Sequence, residues 1–233
     1  MQYFLGIDIG TYESKGVLTD KEGDIIASAT HPHKMLVPEP GWAEHRPEKD
    51  WWNDFVKITK KILKASKINP DDISCIATSA IGPCMLPVSY EGNPLMNAVL
   101  YGVDTRAEKE IRELNEELGE EKILQNCGNA LTSQSVGPKI LWLKKNCPEI
   151  YKKAHKILSS TSYLVQKLTG ESVIDHYTAA NFTPLYDIKN LKWTDALTKN
   201  IIEIERLPKL KWTTEIAGYV SKAASKEIGL ATG

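Results

Sequence analysis

The four cysteines, Cys75, Cys84, Cys127 and Cys147, share no C-x-x-C or other metal-ligand spacing, so they read as buried free thiols, not as zinc ligands or a disulfide framework. The five histidines are equally scattered. Their one close pair, His31-Pro32-His33, brackets a proline and reads as an extended, solvated loop instead of a metal site. No apolar run approaches the length of a membrane span, and Asp8 interrupts the stretch where a cleavable leader would carry its apolar core. Charge of one sign is missing too. Lysine and arginine total 29 against 30 acids, a net −1 that exerts no long-range pull on nucleic acid or an anionic membrane. A cytoplasmic location is expected, with no nucleic-acid or membrane partner.

What is present suits a folded protein. At 233 residues, 42% of them hydrophobic and 25% charged, with 12 prolines spread along the chain, it can bury a substantial core as one large domain or two small ones. There is no internal repeat and no low-complexity linker.

The richest stretch is Gly6-Ile7-Asp8-Ile9-Gly10-Thr11, followed by Tyr12-Glu13-Ser14-Lys15-Gly16. Phe4, Leu5, Ile7 and Ile9 form a short β-prone run that reads as a buried strand. A carboxylate near its end is costly to bury alone, so Asp8 is expected to face a cleft where it can meet Mg2+ or a metal-bound water. Gly10 and Thr11 supply a permissive turn, a hydroxyl and exposed backbone N–H groups of the kind that bind anions. By itself the stretch also fits an ordinary β-hairpin whose Asp and Thr satisfy the turn.

The first thirty residues read as three strands, the second turn being Lys21-Glu22-Gly23-Asp24. From Pro47 to about Lys67, Trp51, Trp52, Phe55, Ile58, Ile62 and Leu63 recur at helical spacing, which assigns the tryptophans to the core. A strand over Ile73 to Ser79, two strands within 83–101, and a helix from about Thr105 to Leu118 with Gly119 as its stop come next. Further helices are expected near 120–126, 137–147, 149–154, 162–168, 195–203 and 221–228.

A second block, Gly41-Trp42-Ala43-Glu44-His45-Arg46-Pro47-Glu48-Lys49-Asp50-Trp51-Trp52, is joined by Leu100-Tyr101-Gly102-Val103-Asp104-Thr105-Arg106-Ala107, by Gly137-Pro138-Lys139-Ile140-Leu141-Trp142-Leu143, and by Ser162-Tyr163-Leu164 with Leu168-Thr169-Gly170-Glu171. In this order the blocks resemble the amino-terminal half of the FGGY carbohydrate kinases, the group that includes xylulokinase, gluconokinase and glycerol kinase. The resemblance covers the whole chain. It implies an α/β, ribonuclease H-like fold shared with actin and hexokinase: a mixed sheet with helical insertions, forming residues 1–233 into the single, sugar-binding lobe of a two-lobed kinase.

The resemblance also implies roles. ATP and Mg2+ are the cofactors and a small sugar is the substrate, with Asp8 helping to hold the metal and Gly10, Thr11, Tyr12, Glu13 and Lys15 in the phosphate-loop positions. Tyr12 and Glu13 stand where relatives often carry small hydroxyl residues, which puts Thr11 and Lys15 first. Sugar contacts are expected from Ser79, Ala80, Ile81, Asp104, Arg106 and Gln134. Ala80 and Ile81 replace polar side chains, so neither a xylulose nor a glycerol site is spelled out. Asp104 and Arg106 fit equally well as a helix-terminal carboxylate paired with a guanidinium, and Lys139 is open to a structural reading. Asp175, beside His176, is set aside as a base, because the family's catalytic aspartate lies in a later Gly-Asp element expected beyond Gly233. The nucleotide-binding carboxyl-terminal lobe is then a partner, in cis or in trans, and a homodimer is a further option. Two other readings stay open: a non-catalytic sugar-binding or regulatory module, and another actin-like ATPase.

Overall fold

Strand β1 (Tyr3–Ile9) alternates buried Leu5, Ile7 and Ile9 with exposed Phe4 and Asp8, the period-two pattern of a strand covered on one face. The computed structural model describes residues 2–194, 197 and 200–233. β1 pairs antiparallel with β2 (Glu13–Asp20) and parallel with β5 (Ile73–Ala80), while β3 (Ile25–Pro32) extends β2, giving the order β3-β2-β1-β5.

A π-helical turn, Pro47–Trp52, leads into α1 (Asn53–Ser66), which packs on the covered face. Pro47 occupies the first turn, where a missing N–H costs nothing. Trp51, Phe55, Ile58 and Ile62 fall on one side and are buried. Gly16 sets how closely helix and sheet approach: a Cβ there would overlap Ile58 and come within 2.9 Å of Ile62. Lys67, with φ of 56°, ends the helix in a left-handed turn.

Two small ribbons join this layer to the rest, β4 (Glu44–His45) with β7 (Ala98–Val99) and β6 (Leu86–Val88) with β8 (Lys156–Leu158). Helices α2 (Glu108–Leu118), α3 (Glu120–Cys127), α4 (Val136–Asn146) and α5 (Pro148–Lys153) build the second half. The chain closes with α6 (Ser160–Thr169), β9 (Val173–Asp175) paired to β12 (Lys209–Lys211), α7 (His176–Ala180), the ribbon of β10 (Tyr186–Asp187) and β11 (Lys192–Trp193), and α8 (Lys222–Ile228). Among the described residues there are two cores. One, under the sheet, gathers Leu5, Ile9, Trp51, Phe55, Tyr163 and Leu164; the other, among the helices, gathers Ile123, Val136, Ile140, Leu143, Phe182 and Tyr186. No helix among the described residues is long and apolar enough to cross a membrane.

Several expectations need correction. His31 and Pro32 belong to β3 and the His33 side chain is only 4% exposed, so this segment is no solvated loop. Cys75 is exposed on β5, unlike buried Cys84 and Cys127. The helix expected from Thr105 starts at Glu108, because the Asp104 carboxylate turns back to accept from the Arg106 amide at 3.2 Å. Within 83–101 both expected strands are present but short, β6 and β7; they bridge through the two backbone bonds between Met85 and Val99, and each also pairs with a more distant segment. The helix expected near 195–203 falls partly on residues outside those described.

Candidate active site

Between β1 and β2 the chain reverses through Gly10, Thr11 and Tyr12. Gly10 donates to the Glu13 carbonyl at 3.0 Å, and a Cβ on Gly10 would sit 2.7 Å from that oxygen, so the turn requires glycine. The carbonyls then point inward one after another. Gly10 O lies 3.0 Å from His33 Nε2, Thr11 O lies 3.0 Å from His45 Nε2, and Tyr12 O accepts from the His33 amide at 2.9 Å. The amides of Thr11 and Tyr12 find no acceptor among the described residues. A turn whose oxygens are tied down and whose N–H groups are free has donors of the kind that can receive an anion.

Beside the turn, Lys15, Asp8 and Ser79 are direct partners across β2, β1 and β5, and all three lie on the open face of the sheet. The Lys15 side chain is 62% exposed and its ammonium stands 3.6 Å from the Glu13 carboxylate. A pair this exposed is weak, about 0 to 1 kcal/mol, and leaves the lysine able to turn to a phosphate. The Glu13 side chain is solvent-exposed while facing Lys15, and Tyr12 is exposed. The Asp8 carboxylate makes no hydrogen bond or ion pair among the described residues. A free carboxylate beside a turn with free amides is of the kind that suits Mg2+, which takes one or two carboxylates and fills its shell with water and phosphate oxygens. No group of three or more metal-ligating side chains occurs among the described residues.

The sugar-contact candidates separate. Ser79 is exposed with a free hydroxyl and Ala80 is half-buried. Ile81 is buried, its amide donating to Ile9 O at 2.7 Å and its carbonyl accepting from Ser160 Oγ at 2.5 Å, so its side chain belongs to the core. Gln134 is exposed beside Gly102, with its side-chain amide unengaged. The loop carrying it is pinned from below by buried Lys139, which donates to Leu100 O at 2.7 Å and Ser133 O at 2.6 Å. Burial pulls this ammonium down to about 8, partly opposed by the Asp104 charge. Lys139 thus acts through the loops it holds.

Asp104 and Arg106 are not presented to the open face. Both side chains are fully buried, the guanidinium donating to Asp104 Oδ2 at 2.7 Å and to Glu44 Oε1 at 2.9 Å. Asp104 also accepts from the Ala43 amide at 2.7 Å, Asn97 donates to Glu44 at 2.9 Å, and Trp42 stacks 3.8 Å over the guanidinium. The pair binds the 41–44 segment to the start of α2, and Nη1 of Arg106 is its one nitrogen without a partner among the described residues.

The sequence matches the profile of the FGGY family of carbohydrate kinases, N-terminal domain, over residues 3–233. The chain belongs to the FGGY family. It is 32% identical over 227 residues to a glycerol kinase of Thermococcus gammatolerans, covering 95% of this chain and 45% of the relative. It is 29% identical over 231 residues to a xylulose kinase of Staphylococcus xylosus, covering 99% of this chain and 47% of that one. Among solved structures, xylulose kinase from Rhodospirillum rubrum superposes with a TM-score of 0.94 at 25% identity, over 100% of this chain and 47% of that protein. Glycerol kinase of Plasmodium falciparum with ADP gives 0.87 at 26% identity, over 99% and 47%. The chain spans about half the length of these relatives, and its fold is a single lobe of the actin- and hexokinase-like class.

In this FGGY lobe, sequence reasoning missed His33 and His45. His45 sat inside the Trp-Ala-Glu block, and His33 was masked by the His-Pro-His pattern. Only their pairing with residues 23 and 34 positions away gives either a role, and no local spacing encodes that.

Proposed function

We propose that residues 1–233 form the amino-terminal, sugar-binding lobe of an ATP-dependent carbohydrate kinase that transfers the γ-phosphoryl group of ATP to a hydroxyl of a ketose, gluconate or polyol. The observation that carries this reading is the turn at residues 10–13, with its carbonyls tied inward and the Thr11 and Tyr12 amides free, beside exposed Lys15 and unpartnered Asp8. Phosphoryl transfer depends on positioning and charge stabilisation. The Thr11 and Tyr12 amides would orient the transferring phosphate, and Lys15, released from Glu13, would carry the opposing charge. Asp8 would hold Mg2+, which when bound supplies further charge neutralisation on the phosphates.

For the sugar, Ser79 and Gln134 offer exposed, unengaged hydrogen-bonding groups, whereas Asp104, Arg106 and Lys139 are buried and tie down the segments around them. Asp175 is spent as a helix cap, accepting from the Thr178 amide at 2.8 Å, so no proton acceptor for the sugar hydroxyl is assigned within the chain. We expect the 233-residue chain alone to be inactive, with a second, nucleotide-binding lobe completing it in the cytoplasm.

The test is a coupled ATP-consumption assay on the chain extended through its downstream coding sequence, across pentuloses, hexuloses, gluconate and small polyols. Turnover on one sugar class, lost in Lys15→Ala, supports the reading and names the substrate. A well-folded extended protein with no turnover on any of them favours a non-catalytic sugar-binding module.

A further inference from the structure

The two histidines under the turn face different sets of hydrogen-bond partners. Trp51 Nε1, which can only donate, lies 2.9 Å from Nδ1 of His45. That nitrogen is therefore unprotonated, and the proton of a neutral His45 sits on Nε2, where it is donated to Thr11 O at 3.0 Å. His33 faces an acceptor on each side: Asp54 Oδ2 at 2.9 Å from Nδ1 and Gly10 O at 3.0 Å from Nε2. Only the imidazolium donates at both. The rings meet edge to face, with centroids 4.9 Å apart.

We propose that His33, as an imidazolium, and His45, as a neutral donor, are positioning residues of the phosphate-binding turn: together they hold the Gly10 and Thr11 carbonyls inward, so that the Thr11 and Tyr12 amides face the anion. The His33 charge does this without a side chain in the site. It sits behind the Gly10 peptide, where its field also favours a bound phosphate. The inference rests on the phosphate-binding part of the function proposed above, not on the sugar.

The surroundings support the assignment. Burial alone would lower the His33 pKa, but the hydrogen bond and charge of Asp54, then the Gly10 carbonyl, outweigh it and raise it above 6.5. His45 is pushed down to about 4, by burial first and then by the neighbouring His33 charge. The groups around His33 are Ser14 on β2, donating to Asp54 at 2.9 Å; His31 on β3, 3.5 Å from Asp54; Asp54 on α1; Lys57 on α1, 3.1 Å from His31; and Asp50, held by Arg46. Above its own pKa, His33 keeps one proton for two acceptors and must give up one contact.

The experiment is titration of magnesium pyrophosphate into the 233-residue chain, read by amide and histidine-ring NMR from about pH 5 to about pH 9. Expected are shifts of the Thr11 and Tyr12 amides, a His33 ring protonated on both nitrogens at neutral pH, a His45 ring carrying only its Nε2 proton, and binding that weakens as His33 deprotonates. His45→Ala should weaken binding by about tenfold, the loss of one hydrogen bond, while His45→Gln, whose amide still reaches Thr11 O, stays within about twofold. His33→Gln should weaken binding and flatten the pH profile. The proposal is overturned if the wild-type amides do not respond, if His33 is neutral at neutral pH, or if both histidine variants bind as the wild type does. It is also overturned if His45→Gln, folded with an unchanged melting temperature, fails with His45→Ala. Pyrophosphate involves no sugar, so a failure to phosphorylate sugars would sink the kinase reading and leave this result standing.

Discussion

The β1–β2 turn and the Asp104–Arg106 pair were both marked by chemistry-bearing residues in recognisable order, yet they are built in opposite ways. At the turn, the inward hydrogen bonds are made by backbone carbonyls, leaving Asp8 and two amides outward and unengaged and Lys15 paired only with the exposed Glu13 carboxylate. At the pair, the charged side chains are buried and satisfied by one another, by Glu44 and by the Ala43 amide, with a single guanidinium nitrogen left over. Accessibility of an ionisable side chain, not its type, separates a ligand group from a tie between segments.

That contrast can be broken by substitution, and the largest effect belongs to the buried pair. Arg106→Ala strands the Asp104 and Glu44 carboxylates in the interior and should cost about 3 to 5 kcal/mol, seen as a lowered denaturation midpoint. Next comes pH. The folded pKa of His33 is raised, so its stabilising contribution is full below 6.5 and lost as pH rises through the folded value; the gap between wild type and His33→Gln should shrink on the alkaline side. His45 runs the other way. Its contribution is full above 6.5 and lost as pH falls toward about 4, so the gap between wild type and His45→Gln closes in acid. Trp51→Phe keeps an aromatic ring but removes the N–H donated to His45 and part of the buried indole, which should cost more than about 1 kcal/mol and let the His45 pKa rise in an NMR titration. The smallest stability change is expected for Lys15→Ala, within about 0.5 kcal/mol, since its side chain is mostly in water.

Local pattern made much of this legible. The alternation in β1, the Pro47 start of the helical segment, the buried Trp51 and Trp52, and most of the helices all follow from periodicity and turn residues. Apart from β6 and β7, the two- and three-residue strands were missed because their pairing is set by distant segments, as Glu44 with Val99 and Leu86 with Leu158 show. Asp8 and Lys15 were readable as candidates because one short stretch holds both, and their register places them side by side. The D-x-R spacing showed that Asp104 and Arg106 can touch, but nothing local disclosed that Glu44, sixty-two positions from Arg106, completes the pair and closes it to solvent. The same distance hid His33, whose apparent loop is an edge strand leading into a buried contact with α1.

The most direct test sets Lys15→Ala and Arg106→Ala side by side in the extended protein, measuring kcat and the denaturation midpoint for each. The account predicts that Lys15→Ala loses sugar-dependent ATP turnover at an unchanged midpoint, while Arg106→Ala loses its midpoint first. Full turnover in a folded Lys15→Ala protein would contradict it.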